Sequence, residues 1–292
     1  MHNFLSNFDK IYEVLKLISN EDLLLYQRRK PRLSDLALVA INLTAEYLGF
    51  DSECDLFRKL PPELSSKIER SVYNRRKRGL FPYIENIRVK LSNTFNEFED
   101  CFIVDSMPLE ICKEARSNRS KICKESTISS PNKGYCASQN SRYYGYKLHA
   151  VCSVKGVFKS FDISPASVHD INYLKDIQHQ IKDCTLIGDR GYLSAQYELD
   201  LFEKANIKLD VPMRINQSNY KKQPYVFRKS RKRIETLFSQ LCDQFMIRRN
   251  YAKSFDGFKT RVLSKITAMT MIQYINKFIF DRKINNIKIS IV

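Results

Sequence analysis

Three carboxylates stand in sequence contexts that suit metal-dependent chemistry. Cys101 to Asp105, CFIVD, and Leu186 to Asp189, LIGD, are short apolar runs that each end in an aspartate. Buried strands of this kind deliver a side chain at their carboxyl ends. Glu235 lies within Ser230 to Met246, SRKRIETLFSQLCDQFM, where Ile234, Leu237, Phe238, Leu241 and Phe245 recur at the spacing of one helical face. The glutamate sits at the edge of that face, among arginine and lysine. Hard divalent cations prefer oxygen donors, and two aspartates with one glutamate suffice for Mg²⁺ or Mn²⁺ while leaving positions for water and phosphate oxygens. Two such ions, roughly 4 Å apart, neutralise a phosphodiester, activate a water and stabilise the leaving oxygen. Two ions per active site, held by Asp105, Asp189 and Glu235, are therefore the expectation. Each acid also has a plainer use: the aspartates can simply end strands, and Glu235 can pair with Arg231 one turn earlier.

The charge of the chain suggests what such a site would act on. Lysine and arginine number 49 against 32 aspartates and glutamates in 292 residues, a net charge of +17 that calls for a polyanionic partner. With 43% hydrophobic and 28% charged residues, and only 8 glycines and 9 prolines, fibrous and broadly disordered classes are excluded. A membrane surface is the other partner such charge could serve. The best apolar run, MIQYINKFIF from Met271, is broken by Gln273, Asn276 and Lys277, and the first residues lack the apolar stretch of a secretion signal. No membrane association and a cytoplasmic location, on the nucleoid when bound to DNA, are expected. The eight cysteines form no Cys-x-x-Cys pair and read as free thiols; Cys112, Cys123 and Cys136 share one stretch and leave a metal knuckle as the alternative. Candidate DNA contacts are Arg75, Arg76, Lys77 and Arg78, then Arg116 and Arg119, then Lys147, and finally Arg228, Arg231 and Lys232 beside the glutamate.

The elements that must position these residues fall into two regions. Residues 1–96 read as helices only: one face from Phe4 to Ile18, a second helix entered at Ser34 and left at Gly49, a third from the Pro61–Pro62 pair into Arg75–Arg78, and a fourth from Pro82 to Phe95. Basic helix ends suit a helix-turn-helix on DNA, and equally a small bundle with a solvated basic face. NEFED, residues 96–100, reads as the linker. Residues 97–292 then mix strands and helices. After the first strand, residues 106–142 read as a long basic loop; Tyr143 to Val154 and Val157 to Ile163 form a hairpin around Lys155–Gly156; Val168 to Ile181 is helical. The second aspartate strand, a helix over Leu199 to Phe202, a strand at Ile207 to Val211, the glutamate helix and a last helix from Phe258 to Phe280 follow. This order predicts an α/β fold, a mixed sheet with helices on both faces, preceded by an all-α N-terminal domain. His169 and Asp170 could serve as acid and base, but read better as a turn and cap outside the site.

Taken together, IVDSMP at Asp105, GYKLH at Gly145, SPASVHD at Ser164, IGDRGY at Asp189 and RKRIETLF around Glu235 resemble the DDE transposases of bacterial insertion elements. The resemblance covers roughly Asp105 to Tyr251. It implies a ribonuclease H-like catalytic domain of the compact kind, since the interval from Asp189 to Glu235 has no room for an inserted domain. It also implies metal-dependent strand cleavage and strand transfer, terminal inverted repeats and target DNA as partners, and a homodimer or higher oligomer on DNA. Many relatives carry a tyrosine three residues before the arginine and a lysine seven after the glutamate; this chain has Arg228 and Cys242 there, with Lys229 or Arg248 as replacements. A DNA-binding protein that no longer cuts, such as a repressor or domesticated copy, and a structure-specific nuclease of the same fold are the alternatives.

Overall fold

The computed structural model describes residues 4–19, 26, 29–95, 99–137, 140–213, 216, 220 and 222–292. It divides into two compact units, Met1–Thr94 with Gln240–Val292, and Phe95–Ser239. The first part of the helical unit contains α1 (Phe4–Ile18), α2 (Asp35–Tyr47), α3 (Glu53–Lys59), α4 (Pro62–Ser65), α5 (Arg70–Gly79) and α6 (Phe81–Phe95). Ser34 caps α2 as its sequence suggests, accepting from the Ala37 N–H at 3.1 Å, and Gly49 adopts φ +71° just beyond the helix. Every residue of α2 from Asp35 to Glu46 is buried, so this helix is the axis of the unit. Two differences from the sequence reading are local. The run after the proline pair breaks at residues 66–69 into α4 and α5, and α3, capped by Ser52, was not anticipated. Of the expected linker, residues 96–98 lie outside the described part of the chain.

The second unit is built on β1 (Cys101–Lys113), β2 (Asn132–Cys136), β3 (Ser141–Ser153), β4 (Phe158–Pro165), α7 (Leu174–Ile177), β5 (Cys184–Ile187), α8 (Ala195–Ala205), β6 (Ile207–Asp210) and most of α9 (Tyr225–Asp243). β3 is antiparallel to β1 on one side, and to β2 and β4 in turn along the other; β5 and β6 add in parallel beyond β1. A hairpin-derived antiparallel half followed by parallel strands fed through helices is a ribonuclease H-like sheet. Alternation along β1 sorts the two faces. Phe102 and Val104 join Val151, Tyr173, Leu174, Ile177, Tyr192 and Leu201 in one core. On the other face α9 packs down, with Phe158 stacked on Phe238 at 6.3 Å between ring centres.

Residues 106–142 are less of a loop than expected. β1 runs on to Lys113 because Met107 and Leu109 continue its buried alternation, and β2 pairs with the start of β3. Conversely, the helix expected over Val168 to Ile181 shrinks to a 3-10 turn, Asp170–Tyr173, and the single turn of α7, with Tyr173, Leu174 and Ile177 reaching the core. In α8 the large apolar residues Leu199 and Phe202 are exposed, while Leu201 and Ala205 are buried.

The last long helix, α10 (Phe255–Tyr274), was expected to close the catalytic domain and instead clusters with the helical unit. Its physical anchor is α2: Asn42 donates to Ser264 Oγ at 2.7 Å, and the buried Lys265 ammonium lies 2.5 Å from Glu46. Burial lowers the Lys265 pKa, and the Glu46 carboxylate opposes that shift. Without Glu46 the ammonium would be an uncompensated buried charge.

Candidate active site

β1 and β5 lie side by side and parallel with Ile103 level with Ile187; Asp105 does not end its strand as expected, since β1 runs on to Lys113, but it comes level with the end of β5, where Asp189 follows. Asp105 pairs in register with Ala150 of β3, and Asp189 follows β5 as the cap of a 3-10 turn, Arg190–Tyr192. The Asp189 side chain accepts from the Gly191 N–H at 2.7 Å. A β-carbon on Gly191 would stand 2.9 Å from Asp189 Oδ1, so a larger residue there would press on this carboxylate. Asp105 Oδ1 accepts from the Ser106 N–H at 2.8 Å. Burial pushes the Asp105 carboxyl up to about 7; the Ser106 N–H and Arg231 oppose this, while Asp189 and Asp170 add to it. Beneath them Tyr192 is 1% exposed and its hydroxyl has no partner among the described residues; burial raises its pKa, and Asp105, Asp170 and Asp189 add to that.

The structure brings Asp105 and Asp189 together but not Glu235. Ile234, Leu237, Phe238 and Leu241 bury one stripe of α9, leaving Glu235 exposed, and it is Arg231, one turn earlier, that acts on Asp105. Accordingly, no group of three or more His, Cys, Asp or Glu side chains among the described residues is arranged to hold a metal. The two aspartates themselves suit a hard divalent cation. Both are oxygen donors, and the Asp105 carboxyl is raised first by burial and then by the charge of Asp189 beside it, which a bound cation would offset.

Comparison with known proteins gives the family. Residues 96–271 match the family model described as "Transposase DDE domain", more than half of the chain. The chain belongs to the DDE transposase domain family. No curated protein matches it. Among solved structures, a Mos1 transposase paired-end complex with left transposon end aligns at 10% identity over 88% of this chain and 85% of that one, with a TM-score of 0.24. A pre-cleavage Mos1 transpososome aligns at 10% identity over 90% and 85%, also at 0.24. Likeness at that level adds nothing to the family match.

The candidate DNA contacts of this DDE protein divide into two sets. Arg75, Arg78, Arg116, Arg119, Arg228 and Lys232 are exposed, and Arg231 is half-buried. Arg76, Lys77 and Lys147 are not surface cations as expected. Arg76 is buried at 2.7 Å from Asp35 and donates to the Leu33 carbonyl, and Lys77 lies 2.5 Å from Glu53. Successive residues on α5 point in different directions, so a run of four basic residues cannot present all four to solvent.

Sequence reading left Asp170 out, and the structure puts it back beside the site. His169 is the cap expected of it, accepting from the Ile171 N–H at 3.3 Å. Asp170 instead accepts from Ser106 Oγ and from Lys147 Nζ, each at 3.0 Å. Lys147 also donates to the Val168 carbonyl at 2.9 Å, and only 16% of its side chain is exposed. GYKLH and SPASVHD were legible as segments; that their lysine and aspartate meet follows from the pairing of β3 with β4, which carries no spacing signature of its own.

Proposed function

We propose that the chain is a transposase that cleaves DNA at the ends of an insertion element and transfers the freed strands to target DNA, with Asp105, Asp189 and Glu235 as its catalytic acids. The observation that carries this is the convergence of Asp105 and Asp189 where β5 ends beside β1, with the Asp105 carboxyl raised by burial and by its neighbour, inside the segment that matches the DDE family. Mg²⁺ or Mn²⁺ bound there, one ion or two, supplies charge neutralisation and a more acidic water. The Ser106 and Gly191 amides orient the two carboxylates by occupying one oxygen of each. Glu235, exposed on α9, joins them when DNA and metal are bound. Arg231 balances the charge at Asp105, and Arg228 and Lys232 on the same helix take phosphates of the bound strand. Arg75 and Arg78 at the end of α5, with Arg116 and Arg119, extend the phosphate contacts, and the N-terminal helices recognise the terminal repeats. In the first step water attacks a phosphodiester and releases a 3′-hydroxyl; in the second that hydroxyl attacks a target phosphodiester, displacing its 3′-oxygen. Two copies of the chain pair the two ends.

The experiment is cleavage of a labelled duplex carrying the inverted repeat that borders the gene. Nicking should require Mg²⁺ or Mn²⁺, whereas Ca²⁺, larger and looser in geometry, should support binding with little cutting. Cleavage that survives excess EDTA would overturn the reading.

A further inference from the structure

We propose that Asp170 is a positioning residue for the first catalytic aspartate: by fixing Ser106 and neutralising Lys147, it holds Asp105 in one orientation with its negative charge available to a divalent cation. The inference rests on the reading of Asp105 as a metal-holding carboxylate and extends it to residues outside that triad.

The geometry begins with the strands. In the register of β1 and β3, Ser106 lies opposite His149 and Pro108 opposite Lys147, so Ser106, His149 and Lys147 share one face of the sheet. Asp105 belongs to the other face by alternation, toward α9 and Arg231. Asp170 therefore does not stand beside Asp105 as a further ligand. It reaches it through space by its charge, and through Ser106, whose backbone N–H donates to Asp105 at 2.8 Å while its hydroxyl donates to Asp170 at 3.0 Å. One residue thus ties two carboxylates from different elements, and a shift of either moves the other.

The charges make the second half of the argument. Lys147 is largely buried, and its ammonium is held by the Asp170 carboxylate and the Val168 carbonyl. His149, 2% exposed, hydrogen-bonds Ser164 through Nε2 at 2.7 Å; its Nδ1 is 3.9 Å from Asp170 and has no hydrogen-bond partner among the described residues. Burial holds the imidazole neutral, pushing its pKa down to about 4. Lys147 is thus the positive charge that Asp170 has to balance on this face. Removing the Asp170 charge would take away a negative charge that acts on Asp105 and leave the Lys147 ammonium unbalanced beside Ser106, and both changes disfavour an incoming cation.

Outer partners of metal-holding carboxylates typically set affinity by roughly 10–100-fold. The test titrates Mn²⁺ into full-length protein without DNA, following free Mn²⁺ by electron paramagnetic resonance, with thermal melting and duplex nicking in parallel. Wild type, Asp170→Asn, Ser106→Ala and the double variant Lys147→Gln with Asp170→Asn are compared. Asp170→Asn should bind Mn²⁺ roughly 10-fold more weakly while melting as a folded protein, and its nicking should need correspondingly more metal yet recover at saturation. Ser106→Ala should weaken binding in the same direction. The double variant should regain most of the lost affinity, because the unbalanced ammonium is gone; a purely structural role for Asp170 would not be rescued in this way. Unchanged Mn²⁺ affinity in Asp170→Asn, or a double variant no better than the single one, would overturn the proposal. Normal Mn²⁺ behaviour across the series without any nicking by wild type would instead overturn the transposase reading and leave this inference standing. A wild-type protein that binds no Mn²⁺ removes both.

Discussion

His149 shows how a single side chain ties the site to the stability of the sheet. Burial is the main cause of its lowered pKa, about 4 against an ordinary 6.5, with Asp170 raising it and Lys147 lowering it further. The unfolded chain therefore binds a proton here that the folded chain refuses, so stability is lost as the pH falls from about 6.5 toward about 4. Melting temperatures across that interval should fall less steeply in His149→Gln, which keeps a polar group for Ser164; equal slopes would show that other groups govern the acid limb. Little of this was legible beforehand. Asp105 and Asp189 announced themselves by ending apolar runs, which is a local signal. The burial of His149 and Lys147, and their meeting with Asp170, depend on strand pairing between segments whose composition looks the same whether or not they touch.

At the scale of elements, the ladder between β1 and β3 is what carries Asp105, and Gly145 is its narrowest point. A β-carbon there would stand 2.2 Å from the Leu109 carbonyl oxygen and 2.9 Å from the Ile111 nitrogen, both backbone atoms, beside the register shift between Glu110 and Cys112. Gly145→Ala should therefore destabilise the protein by about 1–3 kcal/mol or more, since no flexible side chain can yield. Scanning calorimetry would detect this as a melting point several degrees lower, and an unchanged melting point would contradict the strand pairing. The α5 helix offers a paired test. Arg76→Ala removes the guanidinium that lies 2.7 Å from the fully buried Asp35 and should cost about 3–5 kcal/mol. Arg75→Ala, on the exposed side, should change stability by less than about 0.5 kcal/mol but reduce DNA affinity in a salt-dependent way. Helices and strands with strong period were readable from sequence: the Ser34 cap, the hairpin around Gly156 and the stripe on α9 all correspond to observed elements. The α4–α5 break, the shortened α7 and the placement of α10 on α2 were not, because each is decided by what the apolar residues meet rather than by their spacing.

For the whole molecule, the proposed function assigns binding to the charge and cutting to the carboxylates, so the two should separate. With a net charge of +17 and exposed arginines on both units, affinity for end DNA should fall by roughly three to five decades between about 50 and 200 mM salt if six to ten phosphates are contacted. A nearly flat salt dependence would argue against an extended phosphate interface. Among the described residues no helix is long and apolar enough to cross a membrane. The most direct test of the account is to compare wild type with Asp189→Asn on one labelled end duplex, reading binding by gel shift and nicking on a denaturing gel. Asparagine retains the oxygen that accepts from the Gly191 amide, so the 3-10 turn should persist while the charge is lost. The predicted result is a folded protein that binds the duplex at least as tightly as wild type, since repulsion of phosphate is relieved, and nicks it several orders of magnitude more slowly. Nicking at close to the wild-type rate would contradict the assignment of Asp189, and with it the metal-dependent site where β5 ends beside β1.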